Sequence, residues 1–225
     1  MKDPYLDKNG VMKNKPGIED AEKLRQYEYH TVAGAEVSLM QNPIKGNFDF
    51  AHLKKIHGIL FGEMYSWAGR PRTVDISKGD SFFAKTAMIE SAGNKLFANL
   101  AKENHLKGLE QGEFANRAAH YLGEINALHP FREGNGRTQR VFMSKLAQNA
   151  GYNLSWKGVS REEMLHASIN SFHGDNKGYE KMIRNGLSER EISHAAVASR
   201  DVKRTTNEPN IKQAEALVRD KEYGI

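Results

Sequence analysis

Apolar residues recur at helical spacing along most of this chain and at strand spacing in one short stretch. From residue 19 to about residue 40, Leu24, Tyr27, Thr31, Ala35 and Leu39 fall three or four apart, which predicts a first helix with these side chains on one face. Asn42-Pro43 ends it, because proline disfavours helical backbone in the residue before it. After Asp49, the residues Phe50, Leu53, Ile56, His57, Leu60 and Phe61 outline the face of a shorter helix. Residues 73–76, 77–80 and 81–84 then read as strand, turn and strand, the one good hairpin signal in the sequence. Helical spacing returns at Ile89, Leu96 and Leu100, and again at Phe114, Ala118, Tyr121, Leu122, Ile125 and Leu128. Residues 129–140 interrupt it; Val141, Phe142, Leu146 and Ala150 resume it up to Gly151, a C-cap. Residues 1–18, rich in Pro, Gly, Asn and Lys, read as an ordered arm or loop. Beyond Gly186 apolar residues become too sparse for a core. The expectation is a mainly α domain with one β-hairpin over residues 1–186, followed by a polar helical extension or linker over 187–225.

Composition narrows the picture only a little. The 225 residues have room for one good-sized core, and 39% hydrophobic with 27% charged residues is ordinary for a globular chain. A net charge of +5 suits an acidic partner, but no concentrated run of Lys and Arg forms a binding arm, which argues against nucleic acid. The absence of cysteine excludes disulfides and thiolate zinc sites. The first residues lead into no apolar stretch, so no Sec-type signal peptide is expected. Nothing approaches the run of about eighteen apolar residues that a membrane span requires.

The chemistry is concentrated in His129-Pro130-Phe131-Arg132-Glu133-Gly134-Asn135-Gly136-Arg137-Thr138-Gln139-Arg140. His129 is a candidate base, since imidazole titrates near working pH and a hydroxyl is a poor nucleophile until its proton is removed. Gly134, Asn135 and Gly136, just before a helix expected near Arg137, can turn amide N–H groups toward an anion. Glu133 alone would read as a surface ion pair with Arg132; beside an anion cradle it reads as a Mg²⁺ ligand. Arg137 and Arg140 lie three apart, hence on one helix face, and planar guanidinium forks suit phosphate oxygens. A bare Gly-rich turn would have no use for the flanking His, Glu and two Arg. Arg132 is expected to be solvated, and Pro130 and Phe131 to shape the loop. His57, His120 and His166 show no partner pattern and receive no role.

This run resembles, residue for residue, the Fic family signature HPFx(D/E)GNGRxxR. Val11 to Lys15 with Gly17-Ile18, and Trp67-Ala68-Gly69 with the hairpin, extend the resemblance over roughly residues 3–186. It implies a mainly helical fold with a β-hairpin flap. It also implies a protein adenylyltransferase that moves AMP from ATP to a Tyr, Ser or Thr hydroxyl of a target protein and releases pyrophosphate. His129 would be the base and Glu133 the Mg²⁺ ligand. Gly134, Asn135 and Gly136 would hold the α- and β-phosphates, and Arg137 and Arg140 the β- and γ-phosphates. The flap tip, Lys78, Gly79, Asp80 and Ser81, would touch target or nucleotide, with the target adding a strand to the flap. By analogy, Ser168, Ile169, Asn170 and Ser171 would line an adenine pocket. Gly136 stands where the phosphate-transferring Doc branch carries Lys, which implies the AMP-transferring branch.

The family's inhibitory pattern, (S/T)xxxE(G/N), has no complete copy. Thr86 to Glu90 comes nearest but is followed by Ser91. By resemblance this places the chain with Fic proteins restrained in trans by a small antitoxin-like protein, or with host-directed effectors. Its expected location is the bacterial cytoplasm, or a host cell reached without a Sec signal. Other readings stay open: a nucleotide-binding module without chemistry, another nucleotidyl or phosphate transferase, or a basic nucleic-acid binder.

Overall fold

The structure is a computed structural model that describes residues 3–42, 44–78 and 81–189. The chain divides into Met1–Glu189 and Arg190–Ile225, and the second part lies outside the described residues. Seven α-helices occur among the described residues, with two small antiparallel sheets. Helix α1 is Ala21–Gln41, α2 is Phe50–Phe61, α3 is Ile89–Lys102, α4 is Gln111–Leu128 and α5 is Asn135–Ala150. Helices α6 and α7 are Arg161–Phe172 and Lys177–Gly186.

Helix starts follow capping chemistry. Asp20 and Asp49 cap α1 and α2 by accepting the N–H groups of Lys23 and His52 at 2.8 and 2.7 Å. At α6, Ser160 and Glu163 form a reciprocal capping box. Gly151 ends α5 with φ of 98°, the left-handed conformation expected of a C-cap glycine.

Helix α4 is the central element. Its residues Phe114, Ala115, Ala118, Tyr121, Leu122 and Ile125 are buried, and α3, α5, α6 and α7 all pack against it. Phe142 of α5 lies edge-on to Phe97 of α3 at 5.3 Å, joining two helices that both pack on α4. Burying each such side chain contributes about 1.5–3 kcal/mol, and this packing fixes the two ends, α4 C-terminal and α5 N-terminal, between which the 129–134 loop runs.

Three local expectations are corrected. First, α1 does not bury Tyr27, which is 48% exposed; the inward stripe runs Leu24, Glu28, Val32 and Leu39, with a carboxylate inside it. Second, the hairpin is shorter and shifted. Strand β1 is Ser77–Lys78 and β2 is Ser81–Phe82, paired Ser77 with Phe82 and Lys78 with Ser81, so two predicted turn residues are strand. Residues 73–76 form no ladder because Arg72 takes the carbonyl of Val74 at 2.8 Å. Third, Leu187–Glu189, grouped by sequence with the C-terminal stretch, is strand β4 and pairs antiparallel with β3, Tyr152–Leu154. In the N-terminal arm Leu6 bridges Met12, and Lys15 N–H donates to Met64 O at 2.8 Å.

Candidate active site

Helix α4 ends on His129, whose backbone is left-handed (φ 43°, ψ 60°) and whose N–H still closes onto Ile125 O at 3.0 Å. That turn throws the imidazole off the helix axis at the mouth of the loop. Its Nδ1 lies 3.2 Å from Asn126 O. A carbonyl only accepts, so the contact places a proton on Nδ1; in the neutral ring the lone pair is then the one on Nε2. Asn126 is held in turn by Ser168 of α6, at 2.9 Å. Phe83, just after β2, stacks on the imidazole at 3.8 Å and 20°, so the foot of the flap walls one face of the His129 ring.

Three groups lock the loop. The buried side chain of Asn135 accepts from Phe131 N–H at 2.9 Å and donates to Phe131 O at 2.7 Å, closing the turn like a pair of strand bonds. His57, fully buried, accepts Gly69 N–H at Nδ1 (2.8 Å) and donates from Nε2 to Glu133 O (3.0 Å). Its ring stacks on Phe131 at 3.9 Å, and burial lowers its pKa to about 4, so it serves as a neutral strut. Gly134 sits at φ 81° with the Phe61 ring 2.3 Å from where a Cβ would stand, so only glycine fits.

Helix α5 begins at Asn135, two residues before the expected start. Its first-turn N–H groups, from Asn135 to Arg137, have no intrahelical acceptor and carry the positive end of the helix dipole. The cradle is therefore backbone; the Asn135 side chain is committed to the loop. Gly136 differs from Gly134. It has no positive φ, and an added Cβ would meet only Arg140 Nη1, at 3.7 Å. Neither backbone angle nor packing demands glycine there, which fits close approach of a ligand.

Glu133 is half exposed; its Oε1 accepts Gly134 N–H at 2.9 Å and lies 3.7 Å from Arg137 Nη2. No group of three or more His, Asp or Glu that could hold a metal occurs among the described residues. One carboxylate beside an anion cradle fits Mg²⁺ arriving with phosphate oxygens and water, and not a resident all-protein site. Arg137 lies over the Phe61 ring and pairs with Glu28 of α1 at 2.5 Å; Tyr65 O–H also donates to Glu28. Arg140 lines a cavity of about 480 Å³ with Glu36 and Leu39 of α1 and Ser144 and Trp156. Burial draws the Arg140 pKa below its ordinary value, with Glu36 opposing the shift and Arg137 adding to it. Arg132 is not solvated as expected: it forms an ion pair with Asp3 of the arm at 2.8 Å.

The structure thus gathers His129, Glu133, Gly134, Asn135, Gly136, Arg137 and Arg140 around one loop and one helix start. For the flap tip, Lys78 and Ser81 are paired strand residues, while Gly79 and Asp80 lie outside the described residues. In the stretch suggested for adenine, Ser168 bonds Asn126, Ser171 donates to Asn176 Oδ1 at 2.6 Å, and Ile169 is exposed. Asn170 lines a second cavity, of about 430 Å³. Sequence reasoning missed Glu28, Glu36, His57, Arg72 and Phe83. The available signal was a charge or imidazole inside an otherwise apolar helical stripe, at Glu28 and His57.

Comparison with known proteins bears on the family and the fold. The Fic/DOC family model matches residues 47–147. Over 201 residues the chain is 45% identical to the protein adenylyltransferase VbhT of Bartonella schoenbuchensis, covering 89% of this chain and 42% of that protein. It therefore spans less than half of that relative. It is 38% identical to an Escherichia coli protein named "Probable protein adenylyltransferase Fic", with 84% of this chain and 94% of that one covered. Among solved structures, the N-terminal Fic domain of a VirB-translocated Bep effector from Bartonella quintana, with bound ADP, superposes with a TM-score of 0.77 at 33% identity, over 83% of this chain and 95% of that one. BepC from Bartonella tribocorum, with bound AMPPNP, has a TM-score of 0.77 at 31% identity, over 83% and 97% of the two chains.

Proposed function

The chain belongs to the Fic/DOC family, and on that premise we propose that it transfers AMP from ATP to a Tyr, Ser or Thr hydroxyl of a target protein, releasing pyrophosphate. The observation that carries this reading is the placement of His129. Its Nδ1 is engaged by Asn126 O, which turns Nε2 into the proton acceptor at the mouth of a helix-start anion cradle. The hydroxyl oxygen forms a bond to the α-phosphorus while its proton passes to His129 Nε2. The bond from the α-phosphorus to the bridging oxygen breaks, and pyrophosphate departs with its electron pair. First-turn N–H groups of α5 receive the α- and β-phosphates. Arg137, held by Glu28, and Arg140 face the leaving group. Glu133 would hold Mg²⁺, which supplies charge neutralisation on the phosphates. Most of the acceleration comes from positioning and electrostatics, as in other phosphoryl-type transfers.

Gly136 favours AMP transfer over phosphate transfer, since a backbone without a side chain admits the nucleotide closely at that point. The flap, from β1 to β2, offers an edge to an extended target segment. Regulation falls to a small protein in trans, whose carboxylate would enter the cavity shared by Arg140 and Leu39 and compete with the γ-phosphate. Delivery into a host cell is supported by the translocated effectors among the structural relatives. No helix among the described residues is long and apolar enough to cross a membrane.

The deciding experiment supplies α-labelled and γ-labelled ATP in parallel to the chain and a lysate. Above the incorporation seen in lysate without the chain, label from the α-position alone should reach protein. His129→Ala should lower that transfer by about 10²–10⁴-fold, the usual contribution of a general base, with nucleotide affinity unchanged. Transfer of the γ-label, or transfer that survives His129→Ala, would overturn the reading.

A further inference from the structure

Arg72 lies outside the 129–140 run and ahead of the hairpin, yet its guanidinium ties the two together. The side chain has no exposed surface. Nε donates to His129 O at 2.9 Å and Nη1 to Val74 O at 2.8 Å. Nη2 donates to Ala84 O. The backbone N–H of Arg72 donates to Pro130 O at 2.8 Å. Asp75, 3.8 Å from Nη1, supplies a counter-charge, and its Oδ1 also accepts Thr86 N–H at 2.7 Å. A buried cation is tolerated only when it is well hydrogen-bonded, and here each of the three nitrogens has an acceptor.

The identity of the three acceptors gives the arrangement its meaning. Val74 and Ala84 lie on the two legs of the hairpin, and a regular hairpin would join such legs with ladder bonds. Here both carbonyls turn to one guanidinium, so its width sets their separation. The third acceptor is the carbonyl of His129, a non-glycine residue in left-handed backbone that persists only where its surroundings hold it. Phe83, next to Ala84, stacks on the same imidazole, and Ala84 N–H donates to Ala127 O at 3.1 Å. A displacement of the flap legs must therefore move the backbone and ring of His129.

We propose that Arg72 is a positioning residue that couples the flap to the base, so that a target strand seated on the flap sets the imidazole for proton abstraction. This rests on the reading of His129 as the base. The planar fork is required: a lysine ammonium is a point donor and cannot span three carbonyls at fixed angles.

The test compares wild type with Arg72→Lys in three measurements. In transfer assays kcat should fall about 10–100-fold, the scale of a small misplacement at a reacting centre, while KM for ATP stays within twofold. In titrations ADP affinity should be unchanged, because the cradle is held by Asn135 and His57. In ¹⁵N spectra of histidine-labelled protein, the His129 signal should lose its Nδ1-protonated signature. A kcat equal to wild type, a parallel loss of ADP affinity, or an unchanged tautomer would overturn the proposal. Should Arg72→Lys fail to fold, Arg72→Ala supplemented with millimolar guanidinium takes its place. Recovery of transfer and tautomer supports the coupling, and no recovery overturns it. The spectral readout needs no transfer, so an inactive wild type would refute the adenylyltransferase reading and leave this link separately decided.

Discussion

The loop between α4 and α5 and the β1–β2 flap sit on either side of His129, but they are held in opposite ways. The loop is cross-braced from inside: Asn135 grips both backbone atoms of Phe131, His57 grips Glu133 O, and Gly134 is clamped against Phe61. The flap's described ladder is two residue pairs, and its other described ties gather at its base, on Arg72, Ala127 O and the His129 ring. Over-determination lets the loop keep a left-handed histidine poised. Among the described residues, the flap is tied chiefly at its root. On the proposed reading, the difference would separate the chemistry from target recognition.

The strongest way to break the contrast is Gly134→Ala. Both the backbone angle and the Phe61 contact oppose a Cβ, and the expected loss is about 3 kcal/mol, read by urea unfolding. Gly136→Ala should change stability by less than about 0.5 kcal/mol yet weaken ATP binding, measured by titration calorimetry. Equal effects at the two glycines would erase the distinction between a glycine made for the fold and one made for a ligand.

Acid should loosen the loop next. His57 is lowered from an ordinary 6.5 to about 4 by burial, so the folded protein binds its proton less readily than the unfolded chain. Its contribution is complete above about pH 6.5 and is lost as pH falls toward 4, amounting to about 3 kcal/mol. Urea unfolding at pH 7 and pH 4.5 measures the slope, and His57→Gln should lack that part of it.

Arg140→Ala sharpens the nucleotide side. It should cost ATP about 1.5–3 kcal/mol, a charge-assisted bond, and cost ADP much less. Equal losses would move the contact off the γ-phosphate. The smallest effect on stability belongs to Phe82→Ala in the flap: the ring is 76% exposed, so unfolding should shift by less than about 0.5 kcal/mol. A raised KM for the target protein would mark it as part of the recognition edge.

The sequence was most legible where local chemistry decides. Helical spacing located α1 to α5, Asp49 and Gly151 marked ends of α2 and α5, and the 129–140 run carries the candidate site residues. It was least legible where partners come from afar. Glu28 sits 109 positions from Arg137 and reads locally as one more surface charge. Arg72 looks like a loop cation, and only the folded chain brings His129 O within 2.9 Å of it. The hairpin register was misread for a related reason: side-chain alternation cannot reveal that a guanidinium replaces the outer ladder. Helices α6 and α7 and strand β4 were not separately anticipated, since α7 buries only Tyr179 and Ile183 and β4 is three residues long.

The doubly bonded side chain of Asn135 also governs how the site ages. Asn followed by Gly is the sequence most prone to spontaneous deamidation, in which the nitrogen of the next residue attacks the side-chain carbonyl and closes a succinimide. Here the amide is held by Phe131 on both atoms and the backbone is already in the first turn of α5, so the ring cannot close while the loop is shut. Each opening of the loop exposes the chemistry for that interval alone. Hydrolysis then leaves a carboxylate facing Phe131 O, two acceptors with no proton between them, and the loop does not reclose. The share of molecules in an aged sample that carry isoaspartate at residue 135 would therefore rise with the fraction of time the loop spends open.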